Sequence, residues 1–204
     1  MLALIPSDVL KAIRITFVFG LIGGIIYPLV ITVVSQLVFH DAANGSLLYD
    51  RNGQVVGSSL IGQSFSSDKY FQGRLSYTVN PATGSPNPYE ADNSAGSNLG
   101  PTNQVLINNV ASAARSYRKA NGLGPNDQVP VDAVTSDFTG FDPDITEANA
   151  LLQVNRVAQA RNLDPAKVRA LVEKYKHGRV LWIFGEEYVN VLEVNLALDR
   201  GEAG

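Results

Sequence analysis

The first forty residues follow a different pattern from the rest of the chain. From Ile15 to Phe39, a run of 25 residues, no side chain carries a formal charge. A helix of that length rises about 37 Å, against about 30 Å of bilayer hydrocarbon. The pattern therefore predicts a single transmembrane helix over residues 15–39. A cleaved signal peptide would need a shorter apolar core ending at a small-x-small site, and Asp41-Ala42-Ala43 lacks one. A pilin-type leader would need a glutamate just inside the run, and none is present. Lys11 and Arg14 precede the span, whereas no Lys or Arg follows it until Arg51. Positive-inside bias makes residues 1–14 a cytoplasmic leader and residues 40–204 an extracytoplasmic domain. Within the span, Gly20 and Gly24 stand at GxxxG spacing, where small residues admit a neighbouring helix. Pro28, one turn on, is placed to kink the helix.

Beyond the span the periods are those of a mixed α/β domain. Residues 46–50 and 54–59 flank Arg51-Asn52-Gly53 and read as a hairpin, because Asn-Gly supplies the positive φ of a tight turn. Residues 78–101 are rich in Pro, Gly, Asn and Ser and read as a long loop. A helix is expected from Thr102 to Ala120, burying Leu106, Val110, Ala113 and Tyr117 as one stripe and ending at Asn121-Gly122. Asp142-Pro143 reads as an N-cap followed by a proline at the first helical position, opening a helix to Arg161. Asp164-Pro165 repeats the device, with Val168, Leu171, Val172 and Tyr175 as the buried face. Val180–Phe184 reads as a buried strand, and Val189–Asp199 as a helix capped by Asn190.

Composition narrows the function by exclusion. The net charge is −3 and cysteine is absent, which argues against a nucleic-acid partner and removes disulfides and thiolate metal sites. His40 and His177 are too far apart to suggest a metal motif. His177 reads as a helix C-terminal residue favoured by the dipole. Gly96-Ser97-Asn98-Leu99-Gly100 lacks the glycine spacing of a nucleophile elbow, and no phosphate-cradling glycine motif occurs. No catalytic residue, metal site or tightly bound cofactor is expected. One acidic group remains, Asp137, Asp142, Asp144 and Glu147. It reads first as helix capping and otherwise as a cation-attracting surface or a carboxylate pair. Fourteen basic against eighteen acidic side chains leave residues 40–204 at −4.

Several stretches in series resemble the C subunit of the Kdp-type potassium-transporting P-type ATPase of bacteria. They are Gly62-Gln63-Ser64-Phe65, Tyr70-Phe71-Gln72-Gly73-Arg74, Ala95-Gly96-Ser97-Asn98-Leu99-Gly100-Pro101 and Gly140 to Thr146. Gln153, Arg156-Val157-Ala158, Ala160-Arg161 and the run Val189 to Asp199 complete the series. Leu75, Ala95, Asp144 and Glu187 stand where that family more often has Pro, Gly, His and Pro. The resemblance implies a non-catalytic, chaperone-like subunit in the bacterial inner membrane. Its partners would be a channel-like potassium-binding subunit, a P-type ATP-hydrolysing subunit and a small single-span subunit, with ATP and potassium handled by the complex. It links the position of Gln153, with Arg156 beside it, to nucleotide affinity. Read from the helix alone, Gln153 is a solvent-facing glutamine.

Exterior placement and direct contact with cytoplasmic ATP exclude each other in an intact membrane, and topology is the stronger inference. The domain would then act through an acidic funnel for potassium or by favouring one pump conformation. Two other classes fit the residues alone: an anchored hydrolase using Asp142 and Asp144, or a tethered sensor or adhesion module.

Overall fold

The computed structural model describes residues 7–204; residues 1–6 of the expected leader lie outside the described residues. The chain divides after Ser46 into two units.

The first unit is one continuous apolar rod, Ser7–Val38, 32 residues long and with none of its most apolar stretch buried. Helix α1 (Ser7–Leu21) and helix α2 (Tyr27–Val38) are joined by a π-helical turn, Ile22–Ile26. Pro28 has no N–H to donate and its ring crowds the carbonyl four residues back. The ladder answers by widening, and the Tyr27 N–H reaches Ile22 O instead of the residue one closer. The glycine pair Gly23-Gly24 permits this wide turn, so the expected disturbance at Pro28 takes the form of a π-bulge. The helix begins before the uncharged run and carries an exposed Asp8–Lys11 pair at 3.0 Å on its first turns. A short turn of helix, α3 (His40–Ala43), ends the unit.

The second unit opens with the expected hairpin, β1 (Leu47–Tyr49) and β2 (Val55–Ser58), turned at Gly53 with φ +76°. Residues 59–103 then run without regular elements. Helix α4 (Gln104–Ala120) is capped by Asn103, whose side chain accepts from Val105 N at 2.8 Å. Its predicted stripe is only half-covered, and none of its residues is fully buried. The helix lies at the margin of the unit and leaves Val105 and Ile107 exposed.

The core is built on a three-stranded antiparallel sheet, β3 (Asp144–Thr146), β5 (Tyr188–Asn190) and β4 (Lys176–His177), in the order β3-β5-β4. Ile145 pairs with Val189, and both are buried at the sheet centre. Helix α5 (Glu147–Arg161) follows β3 directly, and helix α7 (Val191–Asp199) follows β5 directly. Each strand ends in its helix's cap, since Thr146 Oγ1 accepts from Asn149 N and Asn190 Oδ1 accepts from Glu193 N. Helix α6 (Pro165–Lys174), capped by Asp164, closes the core with Val168, Leu171 and Val172. Phe71 from the irregular segment is fully buried among them.

Three expectations fail here. Asp142-Pro143 does not open α5; the chain stays extended through β3, and Thr146 is the cap. The Asp-Pro pair was compatible with a helix start, but pairing of Ile145 with Val189 fills the core better than an extra helical turn. Val180–Phe184 is not a buried strand. It is a tight turn whose five side chains are 63–90% exposed, closed by an antiparallel bridge between Val180 and Phe184. His177 likewise sits in β4, stacked on Tyr188 at 4.8 Å and 2.8 Å from Glu193 Oε2, not in a helix end.

Candidate functional site

Helix α5 carries two buried stripes. One is apolar and made of Ala150, Val154, Val157 and Ala158; the other is polar and made of Asn149, Gln153 and Arg156. The i, i+4, i+7 spacing of the second set puts its three side chains on one face. Gln153 is 1% exposed, so it is not the solvent-facing glutamine that its helix alone suggests.

All of its hydrogen-bonding capacity is used. The amide oxygen accepts from Gln72 N at 2.8 Å and from Arg156 Nη2 at 2.6 Å. The amide nitrogen donates to Gln72 O at 3.0 Å and to Asn149 Oδ1 at 2.9 Å. Two donors and two acceptor lone pairs are the full complement of a glutamine. Asn195, from α7, treats the preceding residue in the same way, accepting from Phe71 N at 2.8 Å and donating to Phe71 O at 2.9 Å. Each amide side chain thus does for the irregular segment what a neighbouring strand would do for a strand.

Arg156 continues the pattern. Its guanidinium donates to Asp68 O at 2.9 Å, Tyr70 O at 3.0 Å and Asn121 Oδ1 at 3.0 Å, besides Gln153. Arg161 Nε donates to Lys69 O at 2.6 Å. Five consecutive carbonyls, from Asp68 to Gln72, are therefore held by side chains of α5 and α7. A segment with no strand partner still has its backbone oxygens paired. Burial pulls the Arg156 pKa below its usual value, while Asp68 opposes the shift. The Asp68 carboxylate is 3.8 Å away and mostly exposed, so the cation is held chiefly by neutral oxygens. Beyond Asn149 the ladder runs to Asp132 through a 3.0 Å bond, and Tyr117 OH donates to Asn149 Oδ1 at 2.8 Å. A cleft of about 540 Å³ adjoins the opposite, Arg156 end of the ladder, lined by Asp68, Lys119, Asn121, Arg156 and Gln159 among others.

The four acidic candidates are not assembled into one site. Asp137 closes a turn, accepting from Thr139 N and Gly140 N at 2.8 Å each. Asp142 pairs with Arg74 at 3.0 Å, and Glu147 with Lys176 at 3.3 Å. Asp144 accepts from Asn190 Nδ2 at 3.0 Å across the β3–β5 pair. No group of three or more metal-ligating side chains occurs among the described residues.

Asp144 is the electrostatic exception. Burial first, and Asp142 second, raise its pKa to about 6, against the opposing pull of Asn190 and His177. The folded state therefore holds a proton that the unfolded chain releases at lower pH, so stability falls as pH rises from about 4 to about 6. The group is half-buried, and solvent screening reduces the cost to about 1 kcal/mol. Asp144→Asn keeps an acceptor for Asn190. The variant should match the parent below pH 4, melt higher above pH 7, and lose the slope between, in thermal unfolding of the full chain in detergent.

Residues 9–200 match the family described as KdpC, K+-transporting ATPase, c chain. The chain belongs to the KdpC family. Its relatives include the potassium-transporting ATPase KdpC subunit of Paraburkholderia xenovorans, 49% identical over 92% of this chain and 93% of that one. The corresponding subunit of Mycobacterium bovis is 49% identical over 95% and 98% of the two chains. That of Gloeobacter violaceus is 47% identical over 95% and 96%. KdpC membership covers both units and selects the transport-subunit reading over an anchored hydrolase or a tethered sensor. The resemblance seen in the sequence stands.

Gly20, Gly24 and Pro28 remain in the span, and at both glycines a Cβ would meet nothing within 4 Å. The sequence singles out Gln153 and Arg156 but not Asn149 and Asn121, which bond them, nor Asn195, which bonds Phe71. A signal existed for Asn195, a lone amide inside the otherwise apolar run Val194–Leu198. An amide there needs a buried partner.

Proposed function

We propose that the chain is an accessory subunit of an ATP-driven potassium import complex, anchored by residues 15–39, with residues 40–204 outside the cell. The observation that carries this reading is the KdpC family match across residues 9–200, joined to an apolar helix long enough to span a bilayer. Its partners are a channel-like potassium-binding subunit, an ATP-hydrolysing P-type subunit and a small single-span subunit. Gly20 and Gly24 offer a close approach to a helix of one of them.

The domain acts by its affinity for one conformation of the pump. A filled hydrogen-bonding complement at Gln153 supports an indirect link to ATP, in which Gln153 and Arg156 hold segment 68–72 in the shape that docks. An acidic funnel has less support, because Asp142 and Glu147 each face a cation and Asp137 accepts from the backbone of its own turn.

The test exploits the absence of cysteine. With Ala82→Cys as its single thiol, the chain should react with a membrane-impermeant maleimide on intact cells. It should also co-purify with the potassium-stimulated ATPase, and Gly20→Leu/Gly24→Leu should reduce its recovery there. Protection of the thiol in intact cells, with labelling only after lysis, overturns the exterior placement. A fully active complex purified without this chain overturns the subunit role.

A further inference from the structure

The turn Val180–Phe184 is the longest run of exposed large apolar residues in the second unit, and nothing in the potassium-pump reading uses it. Five consecutive side chains, Val180, Leu181, Trp182, Ile183 and Phe184, are 68%, 67%, 90%, 72% and 63% exposed. Leu181 and Trp182 both hold positive φ, +53° and +61°, a backbone that bulky residues seldom adopt. A chain that accepts this strain in order to hold large apolar side chains in solvent is not optimised for water alone.

From this exposed turn we infer that the Val180–Phe184 tip dips into the interfacial layer of the bilayer in which the chain is anchored. The turn is closed on itself: Val180 N donates to Phe184 O and Phe184 N to Val180 O, both at 2.9 Å; Trp182 N donates to Arg179 O at 3.2 Å and Ile183 N to Val180 O at 3.3 Å. Two features favour a lipid surface as its partner. The first is charge. The tip itself carries none, and Arg179 at its base is answered by Glu186 at 2.6 Å. The base is thus electrically neutral, suited to a zwitterionic headgroup layer and free of an unpaired charge to desolvate. The second is residue type. Tryptophan at the turn and branched aliphatics beside it match the amphipathic and apolar zones of a membrane interface.

The inference rests on the anchored reading of the chain. Only residues 39–46 separate the end of α2 from β1. At about 3.5 Å per residue such a linker cannot exceed about 28 Å. The tether therefore keeps the domain within reach of the surface, and a shallow apolar contact suffices where two anchors act together. Fixing the domain at two points would restrict its rotation about the linker and hold one face towards the partner subunits.

Trp182 is the only tryptophan of the chain, so its fluorescence reports on the tip alone. The full-length chain is reconstituted into phosphatidylcholine vesicles, with flotation scoring anchorage separately. Acyl chains brominated near the headgroup should quench Trp182 roughly twofold or more, as expected of an interfacial indole. The same quenching is expected with or without added anionic lipid. Leu181→Asp/Ile183→Asp changes only exposed side chains, and should abolish most of the quenching while leaving flotation and far-UV circular dichroism unchanged. Floating chain with unquenched Trp182 overturns the tip contact and leaves the anchor intact. Quenching that requires anionic lipid overturns the neutral-tip mechanism. Failure to float overturns both readings.

Discussion

Replacing Arg156 by methionine should destabilise the second unit by about 3–5 kcal/mol, the range for removing one member of a buried charge-assisted network. Its guanidinium supplies Asp68 O, Tyr70 O, Asn121 Oδ1 and Gln153 Oε1. Methionine of similar length leaves the first three without this donor, and each buried acceptor so orphaned costs about 1–3 kcal/mol. Part of the sum is offset because the guanidinium no longer has to be desolvated, a cost evident in its lowered pKa. Arg156→Lys should recover under half of the loss, since one ammonium cannot reach the geometry of a planar fork. Gln153→Leu should cost about 2–3 kcal/mol by freeing Gln72 N and O. The double variant should cost less than the sum, because the two residues share one bond and one segment.

Denaturant titration of the full chain in detergent measures these values. ATP dependence of the reconstituted pump supplies the second readout. If Gln153 and Arg156 act by shaping segment 68–72, apparent ATP affinity should track the folded fraction and recover when a stabilising second-site change such as Asp144→Asn is added. If either residue touches nucleotide, affinity should fall in fully folded protein and stay low.

What the sequence exposes and conceals follows from where the partners of each residue lie. The span, the hairpin at Asn52-Gly53, the Asp164 cap and the Asn190 cap are local devices, written within a few residues, and all were legible. The start of α5 was not. Asp142-Pro143 and Thr146 are both acceptable helix starts, and the choice is made by Val189, which pairs with Ile145 from over forty residues away. Periodicity could not separate a buried strand from an exposed apolar turn at residues 180–184 either. The left-handed backbone at Leu181 and Trp182 has no signal in residue types that normally avoid it. The polar ladder was half visible. Gln153 and Arg156 stood out through family resemblance, yet their work is done on the backbone of residues 68–72. A backbone partner leaves no side-chain signature, so a buried glutamine and a solvated one look the same in sequence.

The glycines give the second large effect, and they separate backbone strain from steric exclusion. Gly140→Ala should cost about 3–4 kcal/mol, whereas Gly53→Ala should cost about 1 kcal/mol, although both positions have positive φ. Gly53, at φ +76°, is in the open turn of the hairpin, and an added methyl meets nothing within 4 Å. Only the left-handed backbone is penalised there. At Gly140, φ +84°, the added methyl would collide with Thr78 Cγ2 and stand 2.9 Å from Ala95 O. Neither neighbour can yield easily. Thr78 is 1% exposed, and its hydroxyl donates to Asn87 O at 2.6 Å and accepts from Glu90 N at 3.0 Å. Ala95 is held by its own N–H to Thr139 O at 3.1 Å. Gly140 N is in turn fixed by Asp137 Oδ2 at 2.8 Å. Relief must come from separating residues 76–96 from residues 137–142, which also carry Asp142 and its pair with Arg74. Protease sensitivity should therefore rise within residues 78–101 of Gly140→Ala and not of Gly53→Ala, and equal midpoints for the two variants in denaturant would show that the close packing at Gly140 contributes nothing.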